Sequence, residues 1–110
     1  MVILLKSPAD EKKLQNAASD LAGYVKFVVD INREIMTAGG LRHFEGEQLL
    51  LQDGSHQEDL WGGGVDLETA EVDFESIINI RPPDNPSREV LDLKLRDRIK
   101  SVVSKLFVKV

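Results

Sequence analysis

The stretch YVKFVVDINREIMTA, residues 24–38, decides the fold that we predict for this chain. Its first half alternates with a period of two, so that every second residue from Val25 onward falls on one face of an extended segment. The β-branched and aromatic residues of this half are those that strands prefer. Residues 32–33 suit a tight turn, and a second strand is expected over Glu34–Ala38. The stretch therefore predicts an antiparallel pair of strands.

Amphipathic helices are expected on either side of this pair, near the two ends of the chain. The first helix is predicted to begin with Ser7 as its N-cap and Pro8 in its first position, and to end at Gly23. Asp92 is the expected N-cap of the second. The apolar stripes follow helical spacing: Leu14, Ala17, Ala18 and Leu21 in the first helix, and Leu95, Ile99, Val102, Val103 and Leu106 in the second.

Two further segments are predicted to be extended. Asp53-Gly54 lies between runs compatible with strands, and this dipeptide favours a type I′ hairpin turn, which would pair Leu51 with His56. The alternative is that the leucines at 49–51 form a helical turn that ends at Gly54. Alternating residues predict a long strand over Val72–Ile80, which the following prolines terminate.

Together these elements predict an α+β fold in a single domain, residues 1–110. We expect a first strand over Val2–Leu5 and an antiparallel β-meander of about five or six short strands. Each terminal helix has one apolar stripe, so both are expected to pack on one face of the sheet. The other face is then left to water or to a partner.

Composition excludes several classes of function. The chain has no cysteine, which removes disulfides, thiolate catalysis and cysteine-based metal sites. Its net charge of −5 repels phosphate backbones, so no binding to nucleic acid is expected. The apolar run at Val2–Leu5 is too short for a signal peptide or a membrane span. We therefore expect a cytoplasmic protein that does not associate with a membrane.

Titratable residues supply candidates for acid–base chemistry. The candidate catalytic residues are His43, His56, Glu58 and Asp59. The spacing of the histidines and carboxylates matches no established ligand motif, so no metal site is predicted. Glu58 and Asp59 are neighbours, and on a strand they would point to opposite faces and form no catalytic pair. The alternative for each histidine is a role on the surface of the hairpin.

Three residues are candidates for binding: Trp61, Arg81 and Asp30. Trp61 is the only tryptophan and precedes a glycine triplet, so it either anchors a partner or fills the core. Arg81 is expected to pair with an acid such as Glu58 or Asp59 and to act as a structural clamp. Asp30 belongs to the polar set at the end of the first predicted hairpin strand.

Four strings in the chain resemble those of a known family: VVDI, AGG..H, LL.DGS.QEDLWG and INIRP. The most specific are the strings at residues 53–62 and 78–82. The family consists of small uncharacterised bacterial proteins classed as a domain of unknown function. The resemblance extends from Tyr24 to Pro82, with a similar C-terminal helix. It implies a bacterial protein and brings no activity, ligand or catalytic residue with it.

The sequence thus favours a non-catalytic binding or interaction module without a cofactor. Its partner is expected to be a protein or a small molecule. The alternative is a small hydrolase-like enzyme that uses histidine and carboxylate groups, with or without a metal. Apolar residues on the open sheet face and in the C-terminal LFVKV predict a homodimer.

Overall fold

Residues 24–38 form the predicted pair of strands, which lies at the centre of the sheet. The computed structural model describes residues 1–110 and contains an antiparallel sheet of five strands and three α-helices. The strands are β1 (Ile3–Leu5), β2 (Tyr24–Asp30), β3 (Ile35–Ala38), β4 (Leu60–Asp66) and β5 (Val72–Asp73). The helices are α1 (Glu11–Ala18), α2 (His43–Gln52) and α3 (Leu93–Leu106). The α+β class is confirmed.

The strands lie in the order β1-β3-β2-β4-β5. β2 pairs with β3 on one side and with β4 on the other, where Val29 lies opposite Trp61 and Lys26 opposite Gly64. Because β4 returns to β2 rather than to β3, the strand order differs from the predicted meander. The chain can make this return because α2 carries it from the end of β3 across the sheet.

The helices at the two ends form on the predicted apolar stripes, but their predicted bounds hold only in part. α1 ends at Ala18, so its predicted end at Gly23 is wrong; Gly23 closes the turns that follow, with a φ of +96° and an N–H that donates to the carbonyl of Ala18. Asp92 caps α3 and accepts hydrogen bonds from the backbone N–H groups of Lys94 and Leu95, as expected. The N-cap of α1 is Asp10, which accepts from the N–H of Lys13, so the prediction of Ser7 is wrong by one turn. Asp10 places a carboxylate at the positive end of the helix, where it stabilises the free N–H groups.

The predicted hairpin around Asp53-Gly54 is wrong. Residues 43–52 form α2, as the helical alternative required, and residues 57–59 form a short 3₁₀ helix. Gly54 follows the helix with a φ of +102°, and its N–H donates to the carbonyl of Leu51. A positive φ serves the end of a helix as well as a type I′ turn, so the glycine fits both structures.

The predicted long strand at 72–80 is also wrong beyond its first residues. β5 covers Val72–Asp73 alone, and a 3₁₀ helix occupies Ile77–Asn79. Asn79 is fully buried, and its Oδ1 accepts from the N–H of Gly62 at 2.8 Å. Its Nδ2 donates to the carbonyls of Gly62, Phe74 and Arg88 at 2.9 to 3.0 Å. These bonds hold the segment against β4 without extended pairing.

Two hydrophobic clusters contact the sheet. The larger cluster joins Ala17 of α1 and Ile99 of α3 to strand residues such as Phe27. The smaller one joins Leu50 of α2 to Val28. Since Phe27 and Val28 are adjacent on a strand, they point to opposite faces, and α2 covers the face that we expected to be open.

This arrangement removes the basis of the predicted homodimer, although self-association itself stays a prediction. The apolar sheet face is covered by α2, and the C-terminal residues Leu106 and Phe107 are buried in the larger cluster. No helix combines the length and the apolar character needed to cross a membrane.

The glycine triplet of β4 is explained by packing. A Cβ at Gly63 would overlap the backbone carbonyl of Asp73 and lie 2.7 Å from the ring of Phe27. A Cβ at Gly62 would lie 2.7 Å from the side chain of Ser76, and one at Gly64 would overlap the hydroxyl of Tyr24. Neighbouring groups thus occupy the space beside β4 at all three positions.

Candidate functional site

A groove of about 720 Å³ lies between α2 and the segment that follows β5. β2 contributes Lys26, and α2 contributes residues from its first turns. The groove is lined by Lys26, Arg42, His43, Phe44, Glu47, Gln57, Glu75, Ser76, Ile77, Ile78, Ile80 and Arg88. The volume lies within the range of small-molecule sites in proteins, which is roughly 300–1,000 Å³.

Large apolar side chains are exposed along this groove. Phe44 is 60% exposed, Ile77 is 66% exposed and Ile80 is 44% exposed. Phe44 lies in the first turn of α2, whereas the isoleucines belong to the opposite wall. Burial of such side chains against a ligand is favourable, because it removes apolar surface from water.

The groove also carries cationic side chains without an ion-pair partner. The ion pairs of the structure involve Lys6, Arg33, Arg96 and the N-terminal amine, and none includes Lys26, Arg42 or Arg88. Arg42 and Arg88 are exposed, while Lys26 is half-buried on β2. Positive charge is therefore available in the groove of a chain whose net charge is negative.

His43, the first residue of α2, presents a neutral imidazole to the groove. Its Nε2 lies 2.7 Å from the carbonyl oxygen of Gly63, which fixes the proton on that nitrogen, since a carbonyl only accepts. Burial lowers the pKa of His43 and outweighs the hydrogen bond to Gly63, which raises it. Nδ1 makes no hydrogen bond within the chain and is therefore available as an acceptor.

We expect the imidazole of His43 to titrate below 6.5 in the folded protein, as followed by NMR of the ring protons. Folding lowers the pKa of His43, so the unfolded chain binds the proton more readily. The contribution of the neutral imidazole to the free energy of unfolding is therefore fully present above the unfolded pKa. This contribution is lost as the pH drops from about 6.5 toward the pKa of the folded protein.

His43→Gln, which retains a side-chain donor for the carbonyl of Gly63, should lose this part of the pH dependence in urea unfolding. His56, which is exposed, supplies the second imidazole signal in the same spectra. A titration of His43 at or above 6.5 would contradict the expectation.

Two carboxylates line the same groove. Glu47 is 6% exposed, and one of its oxygens accepts a hydrogen bond from the side chain of Gln57 at 3.1 Å. Glu75 is exposed, and its N–H donates to the carboxylate of Asp73. The groove is consequently a mixed polar surface in which one acid is engaged with a neighbour and the other faces solvent.

The candidate catalytic residues are not brought together. His43 lines the groove, whereas His56, Glu58 and Asp59 lie at or in the 3₁₀ helix before β4. His56 and Glu58 are exposed. Because this segment is a 3₁₀ helix, His56 and Glu58 do not lie on one face of a strand. No group of three or more histidine or acidic side chains is arranged to hold a metal ion.

Trp61 lies in the larger core cluster and is 8% exposed, which corresponds to the alternative of a core residue. The guanidinium of Arg81 stacks on its ring at 3.9 Å from the centroid. Arg81 donates to the carbonyls of Glu58 and Leu60. It is therefore a clamp that binds the backbone, and the expected pairing with the carboxylate of Glu58 or Asp59 is wrong.

Asp30 is fully buried at the end of β2. Its Oδ1 accepts from the N–H groups of Asn32 and Arg33 at 2.9 Å and so closes the turn between β2 and β3. Its Oδ2 has no hydrogen-bond partner. The residue lies outside the groove, and its observed contacts are those of a turn.

Sequence reasoning includes His43 among its candidates but misses the other residues of the groove. The alternating pattern places Lys26 on a strand face, and it gives Phe44 and Ile77 no functional role. The available signal is weak, because these residues come from separate parts of the chain. They meet only because α2 crosses the sheet.

The structure thus defines a small α+β protein with an amphipathic surface groove. The chain belongs to the family described as protein of unknown function (DUF5674), whose model matches residues 3–106. The resemblance to a domain of unknown function is thereby confirmed. No curated protein and no solved structure matches the chain.

Proposed function

We propose that this protein is a non-catalytic binding module that holds a small organic molecule in the groove between α2 and residues 75–80. The observation that carries the proposal is the exposure of Phe44, Ile77 and Ile80 along one concave surface. Exposed apolar side chains that are scattered singly are common, but a cluster rimmed by polar groups is typical of a binding site.

The geometry favours binding over catalysis. His56, Glu58 and Asp59, the candidate acid–base groups, are not among the lining residues. Of the acids that line the groove with His43, Glu47 already accepts a hydrogen bond from Gln57 and Glu75 is exposed to solvent. His43 has a free acceptor nitrogen but donates its proton to a backbone carbonyl. In a binding module the same imidazole serves to orient a ligand. We also propose that the protein is bacterial and is located in the cytoplasm.

A fragment screen by NMR on the ¹⁵N-labelled protein tests the proposal. We expect the shifts caused by bound fragments to cluster on the lining residues of the groove. Phe44→Ala combined with Ile77→Ala should weaken their binding by about tenfold, because the buried apolar contact is lost. Both side chains are exposed, so the fold should be unchanged.

Leu93→Ala is the matched control, since Leu93 is 71% exposed and does not line the groove. It should bind the same fragments as the original chain. Fragments that bind elsewhere, or that bind equally well to the double variant, would contradict the proposal.

A further inference from the structure

The charges of the groove indicate the chemical class of its ligand. We propose, resting on the binding function proposed above, that the groove takes a small organic carboxylate with an apolar body. Lys26 binds the carboxylate, and Phe44 and Ile77 contact the apolar body. The volume of about 720 Å³ suits a complete small molecule. We therefore assign a free acid and not a protein segment.

Lys26 is the residue on which this assignment depends. It lies on β2 opposite Gly64, where the hydroxyl of Tyr24 occupies the space that a side chain would take. Lys26 is half-buried as a residue, and its ammonium makes neither an ion pair nor a hydrogen bond within the chain. An ammonium without a partner in the chain is free to bind an anion, and such a charge-assisted hydrogen bond is stronger than a neutral one.

The surroundings of Lys26 strengthen the preference for an anion. Lys26 and His43 line the same groove, and the carboxylate of the neighbouring Asp73 is engaged by the hydroxyl of Tyr24 at 2.6 Å. His43 stays neutral and offers Nδ1 as an acceptor, which suits an O–H or N–H group on the ligand. Arg42 and Arg88 add positive charge at the exposed part of the lining.

The acids of the groove support the rival ligand, an organic amine. Glu47, however, is buried and already accepts a hydrogen bond from Gln57. Glu75 is exposed, where water screens its charge. Arg42 and Arg88 are exposed and are screened in the same way. Among the charged groups of the lining that are at least half-buried, Lys26 alone has no hydrogen-bond partner, so an anion is the better match for the groove.

Three probes with the same apolar body separate these possibilities: phenylbutyrate, phenylbutanol and phenylbutylamine. Binding of each is followed by NMR titration of the ¹⁵N-labelled protein. We expect the carboxylate to bind most tightly and to shift the signals of Lys26 and His43. Lys26→Gln should weaken it by about three- to tenfold, and Lys26→Arg should restore most of the affinity.

Lys12→Gln removes an exposed lysine of α1 as the matched control and should leave binding unchanged. If the alcohol or the amine binds in the groove as tightly as the carboxylate, the proposed ligand class is wrong and the binding function stands. If Lys26→Gln binds the carboxylate normally, the role of Lys26 is wrong. If none of the probes shifts the groove, the ligand class and the binding function are both contradicted.

Discussion

Asn79→Ala is expected to destabilise the protein by about 3 to 5 kcal/mol in urea unfolding, with a drop in Tm of more than about 10 °C. The side chain of Asn79 satisfies the N–H and the carbonyl of Gly62 and the carbonyls of Phe74 and Arg88. Alanine leaves these groups without their partner. An unpaired buried polar group costs about 1–3 kcal/mol, and local relaxation recovers part of the total.

Asn79→Asp is a sharper variant of the same test. It keeps an acceptor for the N–H of Gly62 but turns a carboxylate toward carbonyl oxygens, so it should destabilise at least as much as alanine. Asn16→Ala, at an exposed position of α1, is the control and should change stability little. A loss of stability below about 1 kcal/mol at position 79 would show that the hydrogen bonds of the Asn79 side chain are not needed for the fold.

Gly63→Ala is expected to cost about 3 kcal/mol. The new Cβ would overlap the backbone carbonyl of Asp73 and press on the ring of Phe27. A backbone atom cannot move aside as the end of a flexible side chain can, so β5 must shift away from β4. Urea unfolding gives the change in stability, and amide hydrogen exchange should show faster opening of the β4–β5 pair.

Gly54→Ala separates steric overlap from backbone strain. Gly54 has a positive φ of +102°, and no atom lies within 4 Å of the position that a Cβ would take, so alanine there meets strain alone. We expect a loss of about 1 kcal/mol for that variant. Equal losses at the two positions would contradict a packing role for Gly63.

The parts of the fold that follow from local sequence are predictable. β2 and β3 carry strand-forming residues around a turn, and α3 has both a capping aspartate and a continuous apolar stripe. Both signals are local, since they depend on residues within one element. Tertiary contacts reinforce these preferences and do not reverse them.

The helix α2 is hard to predict because its buried face does not look hydrophobic in the sequence. That face includes Gly46 and Glu47 beside Leu50. Gly46 allows the helix to approach Thr37 closely, and the buried Glu47 accepts a hydrogen bond from Gln57. Both features depend on distant residues. The groove escapes prediction for the same reason, since α2 forms one of its walls.

The segment at 72–80 shows the opposite error, in which an alternating pattern predicts a strand that does not form. Alternation from Val72 to Ile80 satisfies the period of two, yet the backbone turns at Ser76 and its hydroxyl accepts from the N–H of Ile78. Asn79 replaces strand pairing with side-chain bonds. The buried amide of Asn79 leaves no periodic pattern in the sequence, because a single side chain replaces several hydrogen bonds between strands.

The outermost strands are short, and this has a consequence for behaviour at high concentration. β1 has three residues and β5 has two, so each margin of the sheet offers few unpaired N–H and C=O groups. A long exposed edge strand can pair with a strand of another chain and so begin a fibril. These short edge strands offer an incoming strand few groups with which to form hydrogen bonds. Overproduced protein should therefore resist ordered polymerisation even when crowded.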